Sequence, residues 1–197
     1  MNDIDVSVPA DWYAIGPDAA TRRETALRDI AARTETQPEL TKYADQIADV
    51  LVAFGADAEE LGALACGALW ELTPQGPVVA NVMVFLVEPL SPGGEDAEMA
   101  AILETLTLGR DPDIGSREVS TIDLPAGPAA HVRFLRAVDE EGAPRVVFDD
   151  TQIWIPLAES ADGPVTLVVS ATTPSLDAGD RVAEAAWHIA RSVAVDS

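Results

Sequence analysis

The sequence predicts one α+β domain, with a central, mostly antiparallel sheet of about six to seven strands covered by helices. Three observations lead to this prediction. The 197 residues correspond to about one domain, 1–197, and 48% of them are hydrophobic, which is enough for a substantial core. Short apolar runs alternate with segments of helical periodicity. The last four expected strands follow one another at hairpin spacing, which favours an antiparallel meander.

The N-terminal part is predicted to hold two short strands and a helical segment at about 17–60. The strands are expected at 4–8 and 12–15, because each run ends at proline or at Gly-Pro. A first helix should begin at Pro17-Asp18, where proline fits the first turn and aspartate complements the dipole. A second helix should begin near Pro38 and end at Gly55.

The rest of the chain is predicted to alternate between strands and helices. Strands are expected at 64–72 and 78–87, and the second is apolar enough to be a central strand. A helix from about Asp96 to Leu106 follows. Four strands linked by turn-rich segments are expected at 117–124, 130–138, 146–155 and 165–170. The final helix, about 177–193, has an apolar stripe formed by Val182, Ala186, Ile189 and Val193.

The charge balance excludes some partners and favours others. The chain has 34 acidic and 12 basic residues, for a net charge of −22. This excludes a general nucleic-acid binder and disfavours docking on anionic lipid. It favours a basic protein partner, which the field would attract. The N-terminus has no apolar signal segment, and the longest apolar run, Pro77–Val87, is too short to span a bilayer, so we expect a cytoplasmic protein.

Few residues suit catalysis or metal binding. Cys66 is the one cysteine and lies in an apolar run, so it is expected to be a small buried hydrophobe. His131 is expected on the strand face opposite Val132, and His188 on the polar side of the last helix. The spacing matches no zinc motif, nucleophile elbow or phosphate loop. We therefore predict a non-enzymatic protein with no cofactor, no metal and no catalytic residue.

Acidic clusters and one tryptophan are the candidates for partner binding. Asp149 and Asp150 interrupt a strand, which indicates a β-bulge or an exposed face, or else an acidic contact or metal site. Trp187 lies beside the apolar stripe of the last helix, which favours a place in the core but makes it the best candidate among the tryptophans for partial exposure at an interface. The predicted partner-binding residues are Asp139, Glu140, Glu141, Asp149, Asp150 and Trp187.

Several motifs occur in an order that resembles a known family. These are SVPADWYAIGP, IDLPAGPAAHVRF, VVFDDTQIWIPL and PVTLVVSATTP, followed by an amphipathic helix. Together they resemble small actinobacterial proteins of the PsbP-like α/β-sandwich type. That fold includes the extrinsic photosystem II subunit, a Ran-binding nuclear-import factor and mycobacterial LpqN-type lipoproteins. The resemblance implies an α/β/α sandwich with a non-enzymatic accessory role. We expect no export signal like that of the lipoproteins, so their cell-envelope role is not expected here.

Two functional hypotheses follow. The first is an acidic protein-interaction domain, in its sharper form an immunity or antagonist protein that neutralises a basic toxin. The alternative is a small-molecule-binding module or enzyme with a pocket around Asp149, Asp150, His131 and Arg133. A concave cluster of these side chains would favour the pocket, and a flat acidic surface with an exposed apolar centre would favour a partner.

Overall fold

The computed structural model describes residues 4–6, 8–16, 18–73, 76–109, 114–115, 117–139, 145–157 and 163–195. The α-helices of these ranges are α1 (Ala19–Thr34), α2 (Ala44–Glu60), α3 (Glu95–Leu108) and α4 (Gly179–Ser192). The strands are β1 (Ile4–Asp5), β2 (Tyr13–Ala14), β3 (Ala65–Thr73), β4 (Gly76–Val87), β5 (Glu118–Leu124), β6 (Gly127–Val138), β7 (Val146–Leu157), β8 (Val165–Thr173) and β9 (Ala194–Val195). Short 3₁₀ turns at Pro38–Tyr43 and Leu176–Ala178 precede α2 and α4.

The described strands form one large antiparallel sheet and one small one. The large sheet has seven strands in the order β2-β3-β4-β8-β7-β6-β5, and β1 pairs with β9 in the small one. The predicted meander of the last four strands is confirmed, because β5, β6, β7 and β8 are consecutive neighbours. The prediction of a central strand at 78–87 is confirmed as well, because β4 pairs with β3 on one side and β8 on the other.

Helices cover both faces of the large sheet, so the predicted α+β class with a helix-covered sheet is confirmed. Helix α4 packs on β4, β7 and β8, and we call this side the α4 face. On the opposite face, α2 packs on β3 and β4, and α3 packs on β5, β6 and β7. The expected stripe of α4 is buried as predicted, with Val182, Ala186 and Ile189 at or below 1% exposure.

The first helix begins close to the predicted position. The side chain of Asp18 accepts hydrogen bonds from the Ala20 backbone N–H at 3.0 Å and from the Thr21 hydroxyl at 2.8 Å. Asp18 is therefore the N-cap, which satisfies donors that the first turn cannot satisfy itself. Pro17, the other residue of this prediction, lies outside the described residues.

Gly55 does not end the second helix, so that prediction is wrong. Helix α2 continues through the acidic segment to Glu60. A Cβ on Gly55 would collide with the side chain of Arg22, which crosses from α1 and is 4% exposed. The glycine therefore serves the close approach of two helices rather than a left-handed C-cap.

The N-terminal strands are shorter than predicted. The segment expected at 4–8 pairs over Ile4–Asp5, because its partner β9 has only two residues. Val6 and Val8 pack against the core under the α4 face instead. The strand expected at 12–15 pairs with β3 over Tyr13–Ala14.

Candidate functional site

Asp149 and Asp150 lie in a regular stretch of β7. They pair with Leu135 and Phe134 of β6 without any extra residue, and each is 5% exposed. The prediction of a β-bulge or an exposed face is therefore wrong. Successive residues of a strand point to opposite faces, so the two carboxylates lie on different sides of the sheet.

On the α4 face, Asp149 forms a bidentate ion pair with Arg133. The Arg133 Nε and Nη2 atoms donate to the two Asp149 carboxylate oxygens at 3.0 and 2.7 Å. The Arg133 Nη1 atom donates to Asp180 of α4 at 2.7 Å. The hydrogen bonds that Arg133 donates to Asp149 raise the pKa of Arg133 above its ordinary value. This charged cluster joins β6 and β7 to the first turn of α4.

On the opposite face, Asp150 is neutralised by a different arginine. The Arg136 Nε atom lies 2.9 Å from an Asp150 carboxylate oxygen, and the Thr172 hydroxyl donates to the same carboxylate. The Arg136 guanidinium also lies 5.0 Å from the centre of the Phe148 ring. Both acids of the candidate pair are thus buried and paired with arginine, which is the condition under which buried charge is tolerated.

His131 lies under α4, on the face opposite Val132 as predicted. Its ring is 5.2 Å from that of Trp187, and its Nδ1 atom is 3.4 Å from the Ser120 hydroxyl. Its Nε2 atom is buried and has no hydrogen-bond partner among the described residues. Burial, and then the nearby Arg133 charge, lower the pKa of His131. Trp187 is half-buried, so the less favoured alternative of partial exposure describes it better than a fully buried core position.

The pocket predicted around four residues is not formed. His131, Arg133 and Asp149 lie on the α4 face, whereas Asp150 lies on the other. A depression of about 410 Å³ is lined by Arg133 and Asp149 together with Glu118 and Leu176, but by neither His131 nor Asp150.

The remaining predicted residues occupy the surface or lie outside the described ranges. Asp139 is exposed and lies 3.5 Å from the Nε atom of Arg145. Glu140 and Glu141 lie outside the described residues. His188 is exposed on α4, as predicted.

A row of polar side chains crosses the middle of the sheet between α2 and α3. We call Asn81, Asp150, Gln152, Ser170 and Thr172 the central strip. In the register of the sheet, Thr172 is opposite both Asn81 and Asp150, and Ser170 is opposite Gln152. All except Asp150 are half-buried. Helix α2 packs on β3 and β4, and α3 packs on β5, β6 and β7, so β8 lies between the two helices on this face. The four half-buried side chains of the strip keep part of their surface exposed.

The central strip keeps hydrogen-bonding capacity for another molecule. The Gln152 side-chain oxygen accepts from the Trp154 indole N–H at 3.1 Å, which fixes the amide and leaves its NH₂ group to donate. In the described part of the chain, the Ser170 hydroxyl has no protein partner. A half-buried row of such groups on the inner strands of a sheet is typical of a binding surface rather than of a core.

Apolar side chains form one end of this strip. A cavity of about 330 Å³ lies between α2 and the sheet. Its walls are mostly apolar and include Val50, Phe54, Val79, Val146, Phe148 and Pro174, with Thr172 at the boundary to the strip. Trp154 lies at the other end, six residues from Phe148, or about 20 Å along the strand. We call the central strip and this cavity together the groove.

The groove was not among the sequence-based predictions. Its signal is present in the second half of β8, where Ser170 and Thr172 alternate with the buried Val169 and Ala171. The alternation shows that one face of the strand is more polar. It does not show that the helices leave that face open.

The remaining candidate groups are the possible metal ligands and the Cys66 thiol. Within the described ranges, no three His, Cys, Asp or Glu side chains are grouped as a metal site. Cys66 is buried as predicted, and burial raises the pKa of its thiol to about 12. No helix in the described part of the chain combines the length and the hydropathy needed to cross a bilayer.

Comparison with known proteins finds a likeness of fold. No family model matches the sequence, and no curated protein matches it. Among solved structures, the chain is similar to LpqN of Mycobacterium tuberculosis, which is described as involved in cell envelope biogenesis. The TM-score is 0.52 and the identity 11%, over 100% of this chain and 85% of LpqN.

This similarity supports one part of the family resemblance that the sequence motifs suggested. It shows a fold related to that of LpqN, which is one of the proteins that the resemblance included. The wider PsbP-like assignment and the actinobacterial origin stay predictions. At this identity the likeness carries no function, because one fold hosts many functions.

A test of the Arg133–Asp149 cluster is the substitution Gly179→Ala. Alanine normally stabilises a helical position by up to about 1 kcal/mol. Here a Cβ would collide with the Asp149 carboxylate and lie 2.8 Å from Arg133 Nη2. We expect a loss of about 1–3 kcal/mol in the free energy of unfolding, measured by urea denaturation. Gly16→Ala is the control, because nothing lies within 4 Å of its Cβ position. Equal stability of the two variants would contradict the packing described.

A second test uses the pH dependence of stability. The fold lowers the pKa of His131 from the ordinary histidine value of 6.5. At a pH below 6.5, His131 therefore binds more protons in the unfolded chain than in the folded protein. The free energy of unfolding should therefore fall as the pH drops below that value. The measurement is the urea midpoint at about pH 7.5 and about pH 5.5.

The two histidines of the chain provide the comparison. His131→Gln should lose part of this decrease, and His188→Gln, at an exposed position, should keep it. The same pH dependence in both variants would show that His131 does not contribute.

Proposed function

We propose that the protein is a non-enzymatic binding domain that holds a segment of a protein partner in the groove. The observation that carries the proposal is the accessible polar strip on the inner strands, with aromatic residues at both ends. Polar groups that retain donors and acceptors give specificity, and the apolar cavity provides a place for an anchoring side chain. The stretch of β7 from Phe148 to Trp154 is about 20 Å long, a length that suits a chain segment.

Three features support binding rather than catalysis. Asp149 and Asp150 are each held in an ion pair with an arginine, on opposite faces of the sheet, so they do not form a pair of catalytic carboxylates. The raised pKa of Cys66 keeps its thiol protonated near neutral pH. The Nε2 atom of His131 is buried beneath α4 rather than facing the groove.

The net charge of −22 favours a basic partner, because it increases the rate of encounter. In its narrower form, the proposal is an immunity-like or antagonist-like protein that binds and neutralises a small basic protein.

A small amphipathic molecule is the second candidate ligand. The apolar cavity of about 330 Å³ falls within the size range of small-molecule sites. Native mass spectrometry of the protein purified from its own cells separates the two candidates. A stoichiometric protein supports the first, and a bound small molecule supports the second.

The test of the groove is affinity capture with variants that fill or charge it. Ser170→Trp places bulk on the central strip, and Val146→Asp places a charge at the mouth of the cavity, where Val146 is 40% exposed. Each should weaken partner capture by about tenfold or more, as expected for loss of a central contact. If Ser170→Trp fails to fold, Val146→Asp still tests the groove.

The matched control is Ala100→Trp, at an exposed position of α3. It should capture the partner as well as the natural protein does. If both groove variants fold and capture the partner normally, the binding site lies elsewhere and the proposal is wrong.

A further inference from the structure

The free edge of the large sheet at β5 is a second surface, separate from the groove. In the described part of the chain, β5 ends the order of the sheet and pairs with β6 alone. Its seven residues, Glu118–Leu124, pair one for one with β6, without a bulge, and none of them is proline. Glu118, Ser120, Thr121 and Asp123 are exposed. A regular exposed edge presents backbone N–H and C=O groups to which another strand can add.

The two ends of the sheet differ in how they are protected. The sheet ends on the other side in β2, which has two residues. A very short edge strand is a common protection against pairing with another chain. Strand β5 is longer, and it lacks the proline and the bulge that commonly protect edges, while the charged side chains that it carries are the carboxylates of Glu118 and Asp123.

The side chains of β5 indicate the charge of an added strand. Glu118 and Ile122 point to the α4 face, and Val119 and Asp123 point to the other. Each face of the edge therefore offers one carboxylate and one half-buried aliphatic side chain. Neither carboxylate has an ion-pair partner among the described residues. A second copy would bring further acidic side chains to this edge of a chain with a net charge of −22, which disfavours self-pairing.

We propose that β5 binds an extended basic segment of a partner protein as an additional strand. Lysine or arginine side chains lie opposite Glu118 and Asp123, and aliphatic side chains lie opposite Val119 and Ile122. Backbone hydrogen bonds supply affinity, and the alternating side chains supply specificity. The proposal does not depend on the groove.

The probe is the peptide Lys-Val-Thr-Thr-Val-Lys with a fluorescent label, and the measurement is its anisotropy on titration with the full-length protein at moderate salt. Two N-methylated versions carry the methyl groups on alternate sets of peptide nitrogens. Strand addition orients one set towards β5 and the other towards solvent. One version should therefore lose binding and the other should keep it. Binding that is kept by both versions, or lost by both, would overturn strand addition.

Charge variants test the two carboxylates. The double variant Glu118→Lys with Asp123→Lys should bind the peptide about five- to tenfold more weakly, as expected for two exposed ion pairs. The control Glu39→Lys with Glu60→Lys changes the net charge equally at exposed positions remote in sequence from β5. It should weaken binding by no more than about twofold at moderate salt. If both double variants weaken peptide binding equally, the charge effect is a general attraction to an acidic protein, and the assignment to β5 is overturned.

Discussion

The alternation of side chains along β8 is the constraint on which the rest of the structure depends. Leu167, Val169 and Ala171 are fully buried beneath α4 and belong to the main apolar core. Ser170 and Thr172 point the other way and belong to the central strip. Because the side-chain period of a strand is two, both faces are determined by the same register. A shift of one residue would expose the core and bury the strip, so the register that stabilises the fold also places the polar residues in the groove.

Two ion pairs with buried carboxylates support the same register between the neighbouring strands β6 and β7. Arg133 with Asp149 fixes the α4 face, and Arg136 with Asp150 fixes the other. Each pair is side chain to side chain between neighbouring strands, so a slipped register would leave a buried charge without its partner. The α4 pair also includes Asp180, which connects the strands to the first turn of the helix. These ion pairs thus link the strands beneath the groove in one register, and a well-supported site is a condition for specific binding.

The sequence alone was sufficient to predict the strands and helices that depend on a local pattern of residues. The apolar run of β4, the hairpin spacing of the last strands and the stripe of α4 predicted their structures correctly. It was insufficient where a residue serves a distant partner. Gly55 resembles a helix end but makes room for Arg22, and the acids 149–150 resemble a bulge but are paired with arginines of another strand. The groove depends on where α2 and α3 lie, which no local pattern records.

The most direct test of the account compares two cysteines on opposite faces of β8. Ser170→Cys places a thiol on the central strip, and Ala171→Cys places one beneath α4, at a position with 0% exposure. The native Cys66 gives little background, because its thiol pKa is raised to about 12. In the folded protein, a thiol reagent followed by mass spectrometry should modify Cys at 170 at least about a hundredfold faster than Cys at 171, which reacts only after local unfolding. Equal protection of the two positions would show that the strip is closed and would contradict the central claim.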